Sequence, residues 1–448
     1  MFSFRKSIVF AATLLLSSGV YAQEMLSLED AVNYALENKA EAKKARLDVQ
    51  NSSYQIQEAR ANALPQINGS AGLTNNVLIQ QMALDFGGQT TIVRMGQPWV
   101  SQAAVQLDQQ IFNMAVFTGL KAAKTTREFY LINESLTEEQ IIEKVANSYY
   151  EVYQTKSKIT TLESTIQNTT RVKEVLKSLY ENGLAKKIDL DRISVSLNNI
   201  MSSKQQLINA LSLQENALKY LIGMDISTPV NLPPNTFEIT RIAALETGSN
   251  VENRTEIKLL EKQGDLLRFN KQAINQQRYP TLAFSANYGY YGVGGKFPYF
   301  TGGVTSGVNW SEFSSLNLNL RVPIFAGLGN RAKVQKAQIE IDKFEADFTD
   351  TKLALALAED NARKQIDNSI ITLNMQKSNM TLAKEVLTNI ENNYQNGLAT
   401  LTDLLDAENS YADAQNNYTN AVLSYKLAEV QLVKAKGELK SFYTQSNN

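Results

Sequence analysis

Two kinds of hydrophobic spacing divide the chain into strand-like and helix-like segments. Near residues 281–291 and 313–325, apolar and polar residues alternate, as at Leu316, Leu318 and Leu320, which predicts strands with one apolar face. Residues 66–76 and 101–112 carry a weaker form of the same alternation. We therefore expect four strands in two pairs, joined by loops at about 77–99 and 292–311.

Long stretches without glycine or proline predict long helices. Residues 120–182 and 330–396 contain neither, and each stretch as one helix would reach on the order of 100 Å. Apolar residues at steps of three, four or seven form a narrow seam, with members Ile142, Val145, Tyr149, Val152, Ile159, Leu162 and Ile166. Helices with so thin a seam need partners on more than one side, as in coiled coils.

Two shorter helices are expected ahead of the strand pairs. The first begins after Ser27, which has the spacing of a capping box with Asp30, and runs to about Leu64. Its counterpart spans residues 251–279, and a proline follows each helix.

A short motif occurs twice and indicates an internal repeat. The sequence YENGLAKKIDL begins at Tyr180, and YQNGLATLTDL begins at Tyr394, 214 residues later. Glycine suits the left-handed residue that ends a helix, so we expect sharp turns between antiparallel helices at 182–185 and 396–399. The helices that follow end at Gly223 and Gly437. We therefore divide the chain into a first repeat, 23–237, and a second, 238–448.

Residues 1–22 have the pattern of a secretory signal peptide. Arg5 and Lys6 precede an apolar run at 7–16, and Ala22 ends a small-residue cleavage site. An uncleaved anchor is the alternative, although the run is too short to span a bilayer. We expect an exported protein.

Composition excludes several classes of function. The chain has no cysteine and no histidine, which removes disulfides, Cys/His zinc sites and thiolate nucleophiles. Its net charge of −1 offers no basic footprint for nucleic acid. We expect no catalytic residue, no cofactor and no metal site.

The predicted strands suit a membrane better than a soluble sheet with one wet face. Their length and alternation are typical of transmembrane β-barrels, and Trp99, Trp310, Tyr288 and Tyr290 crowd one end as an interfacial aromatic belt would. Four strands cannot close a barrel, and an open edge cannot lie in lipid. At least two chains must therefore contribute.

In total, the pattern resembles the TolC-type outer-membrane efflux protein family. The segment LSLEDAVNYALEN at 26–38 is similar to that family's first helix, and VPIFAG at 322–327, mirrored by QIFN at 110–113, is similar to its strand exit. The resemblance implies an α+β membrane protein that forms a homotrimer, with a twelve-stranded barrel in outer-membrane lipid and a twelve-helix tunnel in the periplasm. It also implies a periplasmic adaptor protein and an inner-membrane pump as partners.

The resemblance also implies roles for the repeated turns and for two acids. Gly183, Leu184, Gly397 and Leu398 would form the periplasmic tip that docks the adaptor. Asp403 and Asp406 would form the gate.

Spacing i, i+3 places the two gate carboxylates on one helix face. A trimer would hold six of them, with pKa values raised by mutual repulsion. Arg192 stands where the first repeat would have the second acid, as a possible counter-charge. The alternative for Asp403, as for Asp189, is to stabilise the start of a helix.

One departure from the family weakens the remaining tip contacts. The family often has a basic residue after the second turn, where this chain has Ala399. The resemblance thus implies tip contacts of Asp189 and Tyr394 that lack this basic partner.

The sequence thus predicts a passive exit duct for efflux or type I secretion, and not an enzyme. Two alternatives remain open: a structural or adhesive coiled-coil trimer anchored by a barrel, and a soluble periplasmic helical scaffold. The cargo cannot be read from the sequence.

Overall fold

The computed structural model describes residues 25–233, 251–297 and 308–444. The predicted signal peptide lies outside these residues. In chain order the elements are α1 (Leu28–Asn38), α2 (Ala40–Ala61), β1 (Gln66–Asn75), β2 (Gln81–Phe86), β3 (Gln89–Arg94), β4 (Trp99–Phe112), α3 (Met114–Glu181), α4 (Lys187–Ile222), α5 (Thr255–Gln276), β5 (Thr281–Gly294), β6 (Val308–Arg321), α6 (Gly329–Gln395), α7 (Leu401–Lys436) and α8 (Leu439–Thr444). A single 3₁₀ turn, Val251–Asn253, precedes α5.

The chain divides into two compact units. Unit 1 comprises Met1–Leu47, Ile132–Lys258 and Thr349–Asn448, and unit 2 comprises Asp48–Leu131 and Leu259–Phe348. No described helix is both long enough and apolar enough to cross a membrane.

Unit 2 contains a four-stranded antiparallel sheet with the order β1-β4-β5-β6. The register places Leu316, Leu318 and Leu320 opposite Ala286, Phe284 and Leu282, so the predicted alternation becomes one continuous apolar face. The three leucines are exposed in the single chain, by 77, 64 and 65 %. Within the described chain, β1 and β6 each have one unpaired edge.

The strand boundaries and one loop differ from the sequence prediction. The last strand was expected at 313–325, but β6 ends at Arg321, because Pro323 has no N–H for the ladder. At the other end β5 and β6 extend to Gly294 and from Val308, which shortens the expected 292–311 loop. The expected 77–99 loop contains a hairpin, β2–β3, and β4 begins at Trp99.

Unit 1 is held together by a core around the middle of α3. Tyr149 is fully buried, and its hydroxyl donates to the carbonyl oxygen of Leu26 at 3.0 Å. The predicted seam of α3 supplies this core together with apolar residues of α1, α4, α7 and α8. The seam is buried from Ile142 to Ile159 and only partly buried at Leu162 and Ile166.

The N-terminal helix is broken where one continuous helix was expected. Ser27 forms the predicted capping box with Asp30, but α1 stops at Asn38 and Lys39 is extended, with φ −63° and ψ 134°. The ammonium of Lys39 donates to the carbonyl oxygen of Tyr220 at 2.7 Å and lies over the Tyr220 ring. A tertiary contact, and not a glycine or proline, therefore accompanies the break.

Candidate gate and docking turns

The first repeated motif folds as a glycine-terminated turn. Helix α3 ends at Glu181, and Gly183 adopts a left-handed φ of 75°. Leu184 N–H donates to the carbonyl oxygen of Leu179 at 2.8 Å, and Gly183 N–H donates to that of Tyr180 at 2.9 Å. This pair of bonds is the Schellman pattern, which satisfies the last carbonyls of a helix.

The second motif has the same geometry. Gly397 has a φ of 73°, Leu398 N–H donates to the carbonyl oxygen of Asn393 at 2.8 Å, and Gly397 N–H donates to that of Tyr394 at 3.0 Å. Leu184 and Leu398 project outward, with 77 and 78 % of their surface exposed. The predicted sharp turns between helices are therefore confirmed, and each presents an exposed leucine.

Apolar packing joins the two helix pairs next to these turns. Leu176 and Ile193 of the first pair share a buried cluster with Leu401 and Leu405 of the second. The ring of Tyr394 packs against this cluster and against a neighbouring one that contains Leu404. The two turns thus belong to one packed region of unit 1.

The helices that leave the turns begin differently. Thr400 and Asp403 form a complete capping box: the carboxylate of Asp403 accepts Thr400 N–H at 2.9 Å and the Thr400 hydroxyl at 2.7 Å. These bonds, from the side chain first and then the backbone of Thr400, hold the pKa of Asp403 below its usual value. Helix α4 has no such cap, because Lys186 makes no side-chain capping bond. The capping alternative for Asp403 is confirmed.

The second predicted gate residue is free of this local role. Asp406 and Asp403 are both exposed on α7. The guanidinium of Arg192 donates to the hydroxyl of Thr402 at 2.7 Å. No ion pair joins Arg192 to either acid in the described part of the chain. Arg192 therefore reaches the helix that carries both acids without neutralising them.

Tyr394 and Asp189 interact electrostatically across the two helix pairs. Burial raises the pKa of the Tyr394 hydroxyl, and the nearby carboxylate of Asp189 raises it further. Tyr394 is half-buried and packs between the helices. The tip contact expected of Tyr394 is therefore a contact within the chain.

A buried carboxylate next to the candidate gate was missed by the sequence reasoning. Glu408 is 8 % exposed, and its carboxylate accepts the Thr169 hydroxyl at 3.3 Å. Burial raises the pKa of Glu408, the Thr169 hydrogen bond lowers it, and repulsion from Glu391 raises it again. The signal was available, because position 408 follows Leu401, Leu404 and Leu405 at helical spacing on the buried face.

The predicted aromatic belt lies at one end of the sheet. Trp99 pairs with Gly294 and Trp310 with Gly292, and the Trp310 ring lies close against Gly292. The Tyr288 and Tyr290 rings meet edge to face at 5.9 Å. Both tyrosine hydroxyls donate toward the carboxylate of Glu312 at 3.4 Å.

Within 25–233, 251–297 and 308–444 no group of three or more carboxylate side chains has the arrangement of a metal site.

A family model described as "Outer membrane efflux protein" matches residues 31–224 and 250–438. Together these segments cover most of the chain.

The chain is also similar to curated relatives and to solved structures. The outer membrane protein TolC of Vibrio cholerae is 24% identical over 438 residues, which cover 96% of this chain and 94% of that protein. The solved outer membrane protein VceC of Vibrio cholerae has a TM-score of 0.72 at 17% identity, over 92% of this chain and 96% of that one. The MtrE outer membrane channel of Neisseria gonorrhoeae, solved in its open state, has a TM-score of 0.69 at 17% identity. The match covers 92% of this chain and 89% of that one.

Proposed function

Because the chain belongs to the outer membrane efflux protein family, we propose that it is the passive exit duct of a tripartite efflux or type I secretion system. The protein lies in the outer membrane and extends into the periplasm. The observation that carries the proposal is a four-stranded sheet with one exposed apolar face and, within the described residues, two unpaired edges. Helices of 68 and 67 residues follow its strands in sequence. The apolar face suits lipid, and the polar helices suit an aqueous tunnel.

Unpaired sheet edges support a trimer. An open strand edge leaves backbone N–H and C=O groups without partners, which lipid cannot satisfy. Joining β1 of one copy to β6 of the next would close the sheet, and three copies would give twelve strands. The aromatic end of that sheet would lie at the outer interface.

The long helices also expose apolar seams. On α4 the seam includes Ile188, Val195 and Tyr220, which are 60, 59 and 68 % exposed. On α6 it includes Leu353 and Leu382, which are 66 and 57 % exposed. Such seams are unfavourable in water, so neighbouring copies would cover them in a helical tunnel.

Two repeats, 23–237 and 238–448, account for the tunnel's construction. The long helices have nearly equal lengths, the helices after each turn have 36 residues each, and those shorter helices end at left-handed Gly223 and Gly437. Each copy would thus contribute two equivalent helix pairs and two equivalent turns. In this arrangement, Gly183, Leu184, Gly397 and Leu398 would meet the helical hairpins of a periplasmic adaptor.

The gate would consist of Asp403 and Asp406. Both are exposed on one face of α7, so a trimer would collect six carboxylates around a single axis. Such a ring attracts cations and repels itself, which favours a constriction that opens when the helices separate. Energy and cargo selection would come from the inner-membrane pump.

The decisive experiment is single-channel conductance in planar bilayers. Asp406→Asn removes one gate charge without touching the capping box, and Asp403→Asn removes the other while its amide oxygen keeps accepting Thr400 N–H. We expect the double variant to have higher conductance and weaker cation selectivity. Asp191→Asn, an exposed acid of α4 outside the predicted tip contacts, is the matched control and should leave both unchanged.

Two other results would each contradict one part of the proposal. Unchanged conductance and selectivity in the double variant would remove the gate assignment but leave the duct. A wild-type protein that forms no channel at all would remove the duct and favour a structural or adhesive trimer.

A further inference from the structure

A basic cavity lies where strand β6 passes into helix α6. It has a volume of about 600 Å³ and lies within unit 2. Its lining includes three cations and several apolar side chains, among them Arg278, Arg331, Lys333, Ile324, Phe325 and Leu328. The gate does not involve this cavity.

The positive charge of the cavity is not compensated by protein acids. No lining residue is an Asp or Glu. Arg278 donates to the side-chain oxygen of Asn275, but among the described residues none of its three cations forms an ion pair. The side-chain oxygen of Asn330 is enclosed and accepts no hydrogen bond from the described chain. The cavity therefore offers cations to an anion.

Apolar side chains flank the same cavity. Ile324 and Phe325 are 96 and 81 % exposed, and Leu328 is 67 % exposed. Leu328 adopts a left-handed φ of 64°, which costs an L-residue about 1 kcal/mol that glycine would avoid. An exposed leucine side chain in this backbone conformation is unfavourable in water. Contact of the Leu328 side chain with lipid would explain it.

The location fits the edge of a bilayer. Thr281 pairs with Arg321 at the sheet end that continues into α5 and α6, and the aromatic end is the opposite one. Since the helices extend into the periplasm, this end faces the periplasmic leaflet. The inference here rests on the proposed insertion of the apolar sheet face into lipid.

We propose that this cavity binds the headgroup of a glycerophospholipid from the periplasmic leaflet. The phosphate lies among Arg278, Arg331 and Lys333, and the acyl chains run along Ile324, Phe325 and Leu328. Cations next to a membrane surface attract anionic lipid, and bidentate arginine suits phosphate. The β4–α3 junction lacks the same set, since Asn113, Met114 and Ala115 begin that helix.

Native mass spectrometry of the full-length protein, purified in detergent and titrated with phosphatidylglycerol, tests the proposal. The variant Arg331→Gln with Lys333→Gln removes two cations from the cavity. Each cation near a membrane surface contributes about fivefold in affinity, so we expect the loss of two cations to weaken binding on the order of 30-fold. Lys336→Gln with Lys343→Gln is the matched control, because it removes two exposed cations of α6 outside the cavity lining, and it should bind as the wild type does.

Two further ligands separate the contributions of phosphate and acyl chains. Diacylglycerol lacks the phosphate and should bind the wild type and the Arg331→Gln, Lys333→Gln variant equally weakly. Glycerol 3-phosphate lacks the chains and should not displace bound lipid at matched concentration. Equal phosphatidylglycerol binding by wild type and variant overturns the proposal, as does full displacement by glycerol 3-phosphate.

Subunit association is the remaining readout. If the variant dissociates into single chains while each chain binds lipid as before, a second copy covers the cavity and the lipid proposal is wrong. Channel formation by the wild type is measured separately, so a duct that conducts without binding lipid removes this inference alone.

Discussion

The carboxylate of Asp403 accepts the backbone N–H of Thr400 at 2.9 Å, while Asp403 donates its own N–H to the Thr400 hydroxyl at 3.2 Å. This reciprocal pair fixes the first turn of α7. The same side chain is exposed beside Asp406, where the proposed gate charge would be. Asp403 therefore combines a local structural role with the proposed electrostatic one, and the two must be separated by the choice of substitution.

Hydrogen exchange separates the two roles of Asp403. In Asp403→Ala the Thr400 N–H loses its acceptor, so amides at 400–404 should exchange faster, by roughly two- to thirtyfold, the range of lost helix caps. In Asp403→Asn the amide oxygen still accepts that N–H, so exchange should remain close to wild type. Equal acceleration in both variants would show that the charge, and not the cap, stabilises this turn.

Glycines with the same left-handed backbone should differ in their tolerance of a methyl group. Gly183→Ala meets no atom within 4 Å, so it should cost only the conformational strain of about 1–2 kcal/mol. In Gly223→Ala the new methyl lies 3.1 Å from the carbonyl carbon of Asn38, so the loss in unfolding free energy should be larger.

Gly119→Ala is the control for both glycine variants. Gly119 lies inside α3 with open space around it, and alanine favours helix, so stability should rise by up to about 1 kcal/mol. Denaturant unfolding monitored by circular dichroism measures all three variants. A cost at Gly183 equal to that at Gly223 would contradict the contact with Asn38.

The buried carboxyl of Glu408 should make stability depend on pH. Its folded-state pKa is raised above the usual 4.5, chiefly by burial, so the folded protein holds this proton more tightly than the unfolded chain does. The associated stability is fully present below pH 4.5 and is lost as pH rises through the folded-state pKa. The free energy of unfolding of Glu408→Gln, relative to that of the wild type, should therefore be highest at neutral pH.

Thermal unfolding between pH 4 and pH 8 measures this dependence. Glu385→Gln, an exposed acid on α6, is the matched control and should shift the unfolding temperature by the same amount at every pH. If Glu408→Gln behaves in the same pH-independent way, the titration of Glu408 is not linked to folding.

The ion pair between Lys426 and Glu429 should be costly to break from one side. Their charged atoms are 3.0 Å apart, and only 8 and 3 % of the two side chains is exposed. Lys426→Met leaves the carboxylate of Glu429 buried without its cation, which should cost about 3–5 kcal/mol. The double variant Lys426→Met with Glu429→Leu removes both charges and should regain most of that loss in denaturant unfolding.

A loss of equal size in the single and double variants would instead assign the cost to packing. The double variant is informative because a buried ion pair can be replaced by apolar side chains at little net cost in free energy of unfolding.

Elements set by local chemistry were predictable from the sequence. Gly223 and Gly437 end helices because left-handed backbone favours glycine, and Pro280 precedes β5 as expected. The alternation at Leu316 to Leu320 predicted an apolar face because side chains alternate along any strand.

Features that depend on distant contacts were not predictable. The break at Lys39 involves Tyr220, 181 residues away, and the hydrogen bond that Glu408 accepts comes from Thr169, 239 residues away. The β2–β3 hairpin was missed although Met82, Leu84 and Phe86 follow strand spacing, because β3 lacks the same alternation. The repeated turns and the capping role of Asp403 were predictable from the sequence, whereas the hydrogen bond between Thr169 and Glu408 depends on the fold.

The unpaired edges of β1 and β6 have a consequence for the biogenesis of the protein. If several copies close the sheet as proposed, a lone subunit in the bilayer would expose those backbone groups to hydrocarbon, so insertion would follow or accompany association. The rate of insertion should then rise more steeply than in proportion to the supply of exported subunits. A subunit with a damaged edge strand would be dominant-negative, because it could join an assembling ring and leave that ring unable to close.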